Sequence, residues 1–264
     1  MAEPEAGHET WARLLDAAWP AVRVEERHGW LLRHADGFSS RANSVWPRGE
    51  PADPGAAIAA AEDFYARHGA APRFQIFPEA QPELDAALAA RGYRAERATV
   101  AMSAGLPAAP PSGGGAAFGA RPGPDWFELW WAVDGRGAPA QRAAARAILT
   151  GCPAWYGALD EAAVVRAVPQ ADRLGIYCLA VAPERRGRGY ARELLAAALD
   201  RGAAHGCREA YLMVTESNSA AIRLYRSAGF EPRGRYHYRV GPAGGAGAQT
   251  AAAPRGGRRP KPSV

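Results

Sequence analysis

The sequence predicts an α/β fold in which a central mixed β-sheet is flanked by helices, and it predicts two tandem copies of this arrangement. Strand-like and helical stretches alternate along most of the 264 residues, which is the pattern of a sheet covered by helices. The order strand, helix, strand, helix, strand occurs in residues 8–104 and again in residues 118–240. A glycine-rich turn also joins a strand to a helix near residue 187, and such turns often bind phosphate groups.

The first copy begins with a predicted helix. Thr10 is a suitable N-cap, and Trp11, Leu14, Leu15 and Ala18 follow it at helical spacing. The same periodicities, punctuated by Pro and Gly, define the elements that follow. These are strands near 22–34 and 39–46, a helix near 55–68, a strand near 74–77, a helix near 82–91 and a strand near 93–102.

The second copy follows from the same patterns, with apolar alternation for strands and helical spacing for helices. Its elements are a strand near 118–120, helices near 124–133 and 139–149, strands near 155–159, 162–168 and 174–182, a helix near 189–204, a strand near 209–215, a helix near 218–228 and a strand near 233–240.

The two copies end alike. Each closes a helix with glycine, at Gly92 and at Gly229, and each begins its next strand with an aromatic residue, Tyr93 or Phe230. Glycine at such a position is a helix stop signal. Together with the shared order of elements, this ending indicates an internal repeat.

Composition narrows the class of protein. Hydrophobic residues make up 48% of the chain and charged residues 22%, which is typical of a globular protein. No apolar run approaches the roughly 18 residues that span a membrane, and the acidic N-terminus lacks the apolar core of a signal peptide. We therefore expect a cytoplasmic protein without a membrane partner. The three cysteines have no Cys-x-x-Cys spacing, so neither a disulfide framework nor a metal site is expected.

Four regions follow from these patterns. Residues 1–104 form an N-terminal domain, residues 105–117 a Pro- and Gly-rich linker, and residues 118–240 a second domain. Residues 241–264 form a low-complexity basic tail that cannot bury a core. The tail is either a solvated terminus or a nucleic-acid arm, and its lack of aromatic residues argues against a nucleic-acid partner. The net charge of +5 is compatible with an anionic ligand but identifies none.

Residues 186–191 read Arg-Gly-Arg-Gly-Tyr-Ala, between an apolar strand and a helical stretch. Glycines allow backbone amides to point inward, and the helix N-terminus adds partial positive charge. The spacing Arg-x-x-Gly-x-Ala matches neither the dinucleotide fingerprint nor the P-loop. By itself the segment is either a pyrophosphate cradle or an ordinary Arg- and Gly-rich turn. The residues of such a cradle would be Arg186, Gly187, Arg188, Gly189, Tyr190 and Ala191, with Arg185 adding charge.

A second motif follows the loop. From Asn218 to Phe230 the chain fits Asn-x-x-Ala-x-x-Leu-Tyr-x-x-x-Gly-Phe. Both motifs, in this order and at this distance, are typical of the GNAT N-acetyltransferases, which this sequence therefore resembles. The resemblance covers residues 174–231 through the motifs and residues 118–240 through the order of elements. It implies a GNAT fold in each copy, acetyl-CoA as co-substrate, and transfer of an acetyl group to an amine.

The resemblance also implies a place for acetyl-CoA. It would lie where the strands near 174–182 and 209–215 splay apart. The main chain of Leu179, Ala180 and Val181 would bind the pantetheine arm and polarise the thioester carbonyl, since developing negative charge needs a donor.

Two further roles come from the second motif. Asn218 would bind the CoA arm, and Tyr225 would lie near the sulfur and protonate the leaving thiolate as general acid. The alternative for Tyr225 is a buried aromatic on an amphipathic helix. The general base is less evident. Glu216 and Glu184 are the carboxylates nearest the motifs, and we assign Glu216 as the general base. The alternatives are that both are solvated loop charges and that a water chain accepts the proton.

An aromatic cluster opens the second copy. It would either form a wall that holds a cationic amine beside carboxylates or pack the core. Its members are Trp126, Phe127, Trp130 and Trp131, with Glu128 and Asp134 nearby.

The first copy departs from the GNAT motifs. Residues 47–54, where a phosphate loop would stand, contain three prolines and two acids, which remove amide donors and repel phosphate. Aligning the two helix-closing glycines places Leu88 opposite Tyr225 and Gln81 opposite Asn218. The first copy is therefore expected to be degenerate and not to bind acetyl-CoA, as in two-domain GNAT proteins.

A polar alternating row stands in the first copy, formed by Ser39, Arg41 and Asn43, and it is either structural or acceptor-binding. The acceptor itself is expected to be the amine of a small molecule or a peptide. A non-catalytic acyl-CoA sensor remains the alternative function, and a homodimer is compatible with the sequence.

Overall fold

Eleven strands form one continuous mixed sheet in the computed structural model, which describes residues 7–106, 115–135 and 137–242. The strands are β1 (Arg23–Arg27), β2 (Trp30–His34), β3 (Val45–Trp46), β4 (Arg73–Ile76), β5 (Arg94–Gly105), β6 (Ala117–Gly119), β7 (Trp155–Leu159), β8 (Ala163–Gln170), β9 (Arg173–Val181), β10 (Glu209–Thr215) and β11 (Glu231–Val240). Their order in the sheet is β1-β2-β3-β4-β11-β5-β10-β9-β8-β7-β6.

Seven α-helices connect these strands within the described residues. They are α1 (His8–Ala18), α2 (Pro54–Arg67), α3 (Pro82–Ala90), α4 (Pro124–Asp134), α5 (Arg142–Thr150), α6 (Tyr190–Ala204) and α7 (Ser219–Ser227). Short 3₁₀ turns precede α5 and α6, at Pro139–Gln141 and Pro183–Arg185. The mixed sheet flanked by helices confirms the predicted fold class.

The helices cover both faces of the sheet, and β8 shows how. Val164 and Val168 pack into a cluster with α1, α4 and α5. The alternating residues Ala163, Val165 and Ala167 pack into a second cluster with α6. Since successive side chains of a strand point to opposite faces, the two clusters lie on opposite sides of the sheet. A third cluster lies under α2 and α3.

The two halves exchange their last strands. We call residues 7–106 the N-terminal half and residues 115–242 the C-terminal half. Strand β5 of the N-terminal half lies beside β10, and β11 of the C-terminal half lies beside β4. The two exchanged strands pair with each other, antiparallel, at the centre of the sheet. Each half thus depends on the other, because β4 has β11 as its neighbour and β10 has β5.

An ion pair fixes one exchanged strand. Arg239 on β11 donates from Nε to Asp85 Oδ1 at 2.7 Å and from Nη2 to Asp85 Oδ2 at 3.0 Å. His237 lies 2.8 Å from the same carboxylate through Nε2. These bonds lower the pKa of Asp85, with the Arg239 hydrogen bond as the largest cause, although partial burial opposes it. Because Asp85 belongs to α3, this contact ties the last strand to the first half of the chain.

Two elements differ from the sequence-based predictions. Helix α1 begins at His8 with Gly7 as N-cap, so Thr10 lies inside the first turn and caps nothing. The predicted strand 39–46 is wrong except for Val45–Trp46. Residues 35–44 form an irregular loop instead, because the buried side chain of Asn43 hydrogen-bonds the backbone of this loop. Its Oδ1 accepts from two amides, at 2.8 and 3.0 Å, and its Nδ2 donates to two carbonyls, at 2.6 and 2.8 Å.

The proposed linker and tail lie mainly outside the described part of the chain. Residues 107–114 and 243–264 are not described, so the boundaries at 105–117 and 241–264 stay predictions. No helix of the described residues is both long and apolar enough to cross a membrane.

Candidate active site

Strands β9 and β10 separate at one end, and this opening organises the site. Their parallel pairing runs from Arg173 opposite Glu209 to Ile176 opposite Leu212 and stops there. Residues 177–181 of β9 continue without a partner on β10. The predicted splaying of these strands therefore occurs in the structure.

A bulge in β9 lies at the same point. On β8, Val165 alone faces both Cys178 and Leu179, and Cys178 takes a positive φ of 55°. A bulge of this kind bends its strand and redirects backbone groups, and bulges are frequent beside active sites. The backbone of Leu179 to Val181 consequently borders the opening rather than a continuous ladder.

The loop before α6 is an open candidate for binding an anion, and we call it the anion site. Gly187 and Gly189 have φ values of 75° and 89°, in the left-handed region that favours glycine, and a Cβ on either would meet nothing within 4 Å. Gly189 is the N-cap of α6 and has no side chain to bond its own helix. Within the described residues, the amides of residues 187–191 have no backbone acceptor. Free amides and a helix N-terminus favour bound phosphate.

The loop residues line a cavity of about 420 Å³. Its wall is formed by Val181, Arg185, Arg186, Gly187, Gly189, Tyr190, Ala191, Arg192 and Leu224. Six of the predicted cofactor-binding positions thus meet at one cavity, and Arg188, which is exposed beside it, does not line it. The three lining arginines give this cavity a positive field, which suits a pyrophosphate.

A larger cavity, of about 770 Å³, continues from the loop into the space between the two halves. We call it the central cavity. Val181 and Arg186 line both cavities, so the anion site and the central cavity are adjacent. Residues 176–181 of β9 and Asn218 form one side, and residues 37–41 of the N-terminal half form the other. The central cavity is therefore built by both halves of the chain.

Asn218 lies at the opening between β9 and β10 and also begins α7. Its Oδ1 accepts a hydrogen bond from the Ala221 amide at 3.1 Å, which makes it the N-cap of that helix. The side-chain amide Nδ2 has no protein partner within the described residues and borders the central cavity. One end of Asn218 thus holds α7, and the other end is available to a ligand.

Tyr225 lies on α7, packed against Phe230 with ring centroids 5.9 Å apart. Burial raises the pKa of Tyr225 to about 12, and electrostatic interactions with Asp134 and Cys178 add to the increase. The hydroxyl therefore stays protonated at neutral pH. Both of these neighbours line the central cavity, whereas Tyr225 itself lines neither cavity.

The two carboxylates nearest the motifs, Glu216 and Glu184, are both exposed, as in the alternative that treats them as solvated loop charges. Glu216 does not line either cavity; its carboxylate pairs with Arg235 at 3.5 Å and is exposed. Glu184 is exposed in the 3₁₀ turn before the loop. Asp134, at the end of α4, lines the central cavity and is the acidic residue that does so among the described residues. The geometry thus favours Asp134 over Glu216 for contact with an acceptor.

The aromatic cluster of α4 mainly packs the core. Trp126, Phe127 and Trp130 are buried, and Trp126 Nε1 donates to the Gly157 carbonyl at 2.9 Å. Glu128 pairs with Arg142 at the surface. Only Trp130 of the cluster lines the central cavity. The four rings therefore do not form a cation-binding wall together.

The N-terminal half closes the equivalent site with its own side chains. Asp53, the N-cap of α2, accepts from the Ala56 amide at 3.0 Å, so a carboxylate occupies this helix N-terminus. Gln81, the N-cap of α3, joins the two strand ends: Oε1 accepts from the Phe77 amide at 3.1 Å, and Nε2 donates to the Pro47 carbonyl at 3.2 Å. Leu88 is fully buried. These contacts leave no open anion site among them.

The polar row of the N-terminal half divides by role. Asn43 is structural, since all its bonds hold the 35–44 loop. Ser39 Oγ accepts from Trp19 Nε1 at 3.0 Å, and both residues line the central cavity with Arg41. Sequence reasoning missed Trp19, Tyr177, Tyr236 and Tyr238, which complete this wall. No local pattern marks them, because Trp19 lies more than 150 residues before the three tyrosines in the sequence.

The family described as "Probable histone acetyltransferase Rv0428c C-terminal" matches residues 13–239 of this chain. The chain belongs to this family. It is a GNAT superfamily member, and its function is of the GNAT acetyltransferase type. An N-acetyltransferase from Bacillus subtilis (strain 168), YobR, is 27% identical over 239 residues, which are 86% of this chain and 96% of YobR.

Solved structures share the fold of this GNAT chain. A GCN5-related N-acetyltransferase from Kribbella flavida covers 88% of this chain and 96% of its own, with a TM-score of 0.63 and 19% identity. A tandem GNAT protein from the clavulanic acid biosynthesis pathway covers 72% of this chain and 70% of its own, with a TM-score of 0.56 and 18% identity. The fold is therefore shared over most of the length, at low sequence identity.

Proposed function

We propose that this protein transfers the acetyl group of acetyl-CoA directly to an amine that enters the central cavity. The observation that carries this proposal is the continuity of the anion site with the central cavity through Val181 and Arg186. A pyrophosphate held by the loop would place the rest of the same molecule along the opening between β9 and β10. The reacting end would then face the wall supplied by the N-terminal half.

The residues present fit acetyl-CoA. Free amides at Gly187 to Ala191, with Arg185 and Arg186, suit its pyrophosphate. The unpaired edge of β9 at Leu179 to Val181 offers backbone groups to the pantetheine amides, and Asn218 Nδ2 adds a side-chain donor. In the N-terminal half, Asp53 and Gln81 occupy the same places, so we propose a single acetyl-CoA site.

Direct transfer is favoured over a cysteine-bound intermediate. Cys178 lines the central cavity, but burial raises the pKa of its thiol well above the ordinary value. A neutral thiol is a poor nucleophile, because the thiolate is the reactive form. The attacking group is therefore the amine itself.

The chain's own residues supply the proton transfers. When bound, acetyl-CoA supplies the acetyl group on an activated thioester carbon. The Leu179 backbone, freed from the ladder by the bulge, stabilises developing negative charge on the carbonyl oxygen. Tyr225 donates its phenolic proton to the leaving sulfur, and Asp134 takes the proton that the attacking amine loses. Glu216 remains the competing candidate for the base, acting through water.

Two measurements test this proposal. Calorimetry with acetyl-CoA should give one saturable site per chain, and no binding would contradict the proposal outright. A panel of amines assayed for released thiol should then give turnover with at least one acceptor. Binding without thiol release from any amine would instead favour the alternative, a non-catalytic acyl-CoA sensor.

A further inference from the structure

The two fully buried arginines, Arg33 and Arg166, are satisfied by protein acceptors within the described residues. Arg33 donates to the Ser44 carbonyl and to Gln75 Oε1, and it pairs with Asp16 at 3.0 Å. Arg166, fully buried, donates to the Leu149 carbonyl at 3.0 Å and to the Ala18 carbonyl at 2.8 Å. Such partners are expected, because a buried cationic donor without an acceptor is costly.

Two arginines of the central cavity differ. Arg41 and Arg73 each have a buried Nε without any hydrogen-bond partner. Within the described residues, neither guanidinium has a carboxylate at ion-pair distance. Unpaired buried donors also occur elsewhere, for example on Trp30, Gln75 and Arg201, but Arg41 and Arg73 combine such a donor with a position on the cavity proposed to receive the acceptor.

Arg41 is held in an aromatic cage. Its guanidinium carbon lies 5.5 Å from the ring centroids of both Trp19 and Tyr177. Burial alone lowers the pKa of Arg41, but the phenols of Tyr236, Tyr238 and Tyr177 more than offset it and raise the pKa above the ordinary value. The guanidinium is thus a cation, and it is oriented by the rings of Trp19 and Tyr177.

The backbone that presents Arg41 is itself fixed. Asn43 closes the 35–44 loop with four hydrogen bonds, and Gln141 Nε2 of the C-terminal half donates to the Asp36 carbonyl at 2.8 Å. Ser39, with a φ of 60°, is bonded by Trp19. A guanidinium on such a rigid loop is preorganised for a ligand at little entropic cost.

We propose that Arg41 binds a carboxylate of the acceptor, so that the substrate class is small amines that also carry a carboxylate. This inference rests on the proposed function and names the substrate class of the same site. The planar fork of a guanidinium matches a carboxylate with two parallel hydrogen bonds. Asp134, across the same cavity, would face the amine end, while Arg41 and Arg73 face the acid end.

The test uses acceptor pairs that differ only in the acid group. Glycine, alanine, phenylalanine and glutamine are compared with their amides as acceptors of acetyl groups from acetyl-CoA, by thiol release. We expect at least one acid to exceed its amide in kcat/KM by about tenfold or more, which corresponds to about 1.4 kcal/mol. Aminomethylphosphonate and a lysine-rich peptide amide test a phosphonate and a basic peptide as alternatives.

Variants assign the preference to Arg41. Arg41→Gln should abolish the preference for the acid while leaving the dissociation constant of acetyl-CoA within about twofold. Arg41→Lys keeps the charge but not the planar guanidinium, and it should retain part of the preference for the acid. This second variant also tests the inference if Arg41→Gln folds poorly. Arg48→Gln is the matched control, since Arg48 also lies over a tryptophan ring, 5.7 Å from that of Trp46, but outside both cavities.

Calorimetry separates this inference from the proposed function. N-acetylglycine and N-acetylphenylalanine are titrated against their amides in the presence of CoA, which needs no turnover. Tighter binding of the acids, lost in Arg41→Gln, supports the inference even if no amine is acetylated. Equal binding of acids and amides, a preference that survives Arg41→Gln, or better use of the phosphonate or the peptide would overturn it.

Discussion

Asp53 and Gly189 occupy the same place in the two halves, as N-caps of the helix that follows a strand end, and only Asp53 directs a carboxylate at its own helix amides. Gly189→Asp should therefore reproduce the closed arrangement in the C-terminal half. We expect acetyl-CoA affinity to fall by at least about tenfold, since a carboxylate would occupy the anion site and repel the pyrophosphate. Calorimetry measures the change.

Gly206→Asp provides the control for Gly189→Asp. Gly206 stands just beyond the other end of α6, with a φ of 86° and nothing within 4 Å of a Cβ. Both variants therefore carry a similar backbone strain. If Gly206→Asp weakened acetyl-CoA binding as much as Gly189→Asp, the loop amides would not be the anion site.

Tyr225→Phe should lower kcat by at least about tenfold with little change in acetyl-CoA affinity, the usual range for loss of a general acid. Because the pKa of Tyr225 is raised to about 12, the phenol stays protonated as pH rises. Ionisation of this group should therefore not reduce kcat of the native enzyme at any pH up to about 10. No hydrogen bond of the Tyr225 hydroxyl exists within the described residues, so the thermal midpoint should stay unchanged. An unaltered kcat would remove Tyr225 from the acid role.

Asp134→Asn and Glu216→Gln distinguish the two candidate bases. Asp134 lines the central cavity, whereas Glu216 pairs with Arg235 outside it. We expect kcat/KM to fall by about 10²-fold or more in Asp134→Asn and to change little in Glu216→Gln. Steady-state kinetics of thiol release, recorded at several pH values, measure both effects, and the reverse result would restore Glu216 as the base.

Asp85→Asn should loosen the exchanged strand β11. The carboxylate and Arg239 are both mostly buried, with 18% and 16% of their side chains exposed, and loss of charged hydrogen bonds of this kind costs about 1.5–3 kcal/mol. Since the pKa of Asp85 is lowered in the folded state, this stabilisation is present above the unfolded pKa of about 4 and is lost as pH falls through the folded value. The difference in unfolding free energy between native and variant chains should thus be full at pH 7 and shrink below about pH 4.

Denaturant titrations at several pH values check the Asp85 prediction. Glu9→Gln is the control, because its carboxylate forms an exposed pair with Arg13 at 3.1 Å and such pairs contribute little. A difference that stayed constant down to pH 2 would contradict the linkage to the Asp85 charge.

The sequence predicted the parts of the site whose chemistry is local. Gly187 and Gly189 take left-handed φ values, and Asn218 begins a helix, so both motifs are visible within a few residues. The order of strands and helices was predictable for the same reason, since periodicity repeats over each element. The separation of β9 from β10 followed from the resemblance and not from any single residue.

The remaining features depend on contacts distant in the chain. Residues 39–46 were predicted as a strand because their side chains alternate, whereas buried Asn43 hydrogen-bonds the backbone of residues 35–39 and holds the loop in another conformation. The exchange of β5 and β11 joins residues more than 100 positions apart, and no local propensity records such a pairing. Arg41 was noticed as polar, but its cage only forms when α1, β9 and β11 meet.

The strand exchange also affects the order in which strands can pair during synthesis of the chain. Strands β4 and β5 are synthesised long before β11, which lies between them in the finished sheet. Until β11 is made, the N-terminal half carries an open strand edge, and such edges invite pairing with other chains. The N-terminal half, whose own equivalent site is closed, is thus required by the architecture. Removing it would take the interior strand β5 away from the half that carries the proposed acetyl-CoA site.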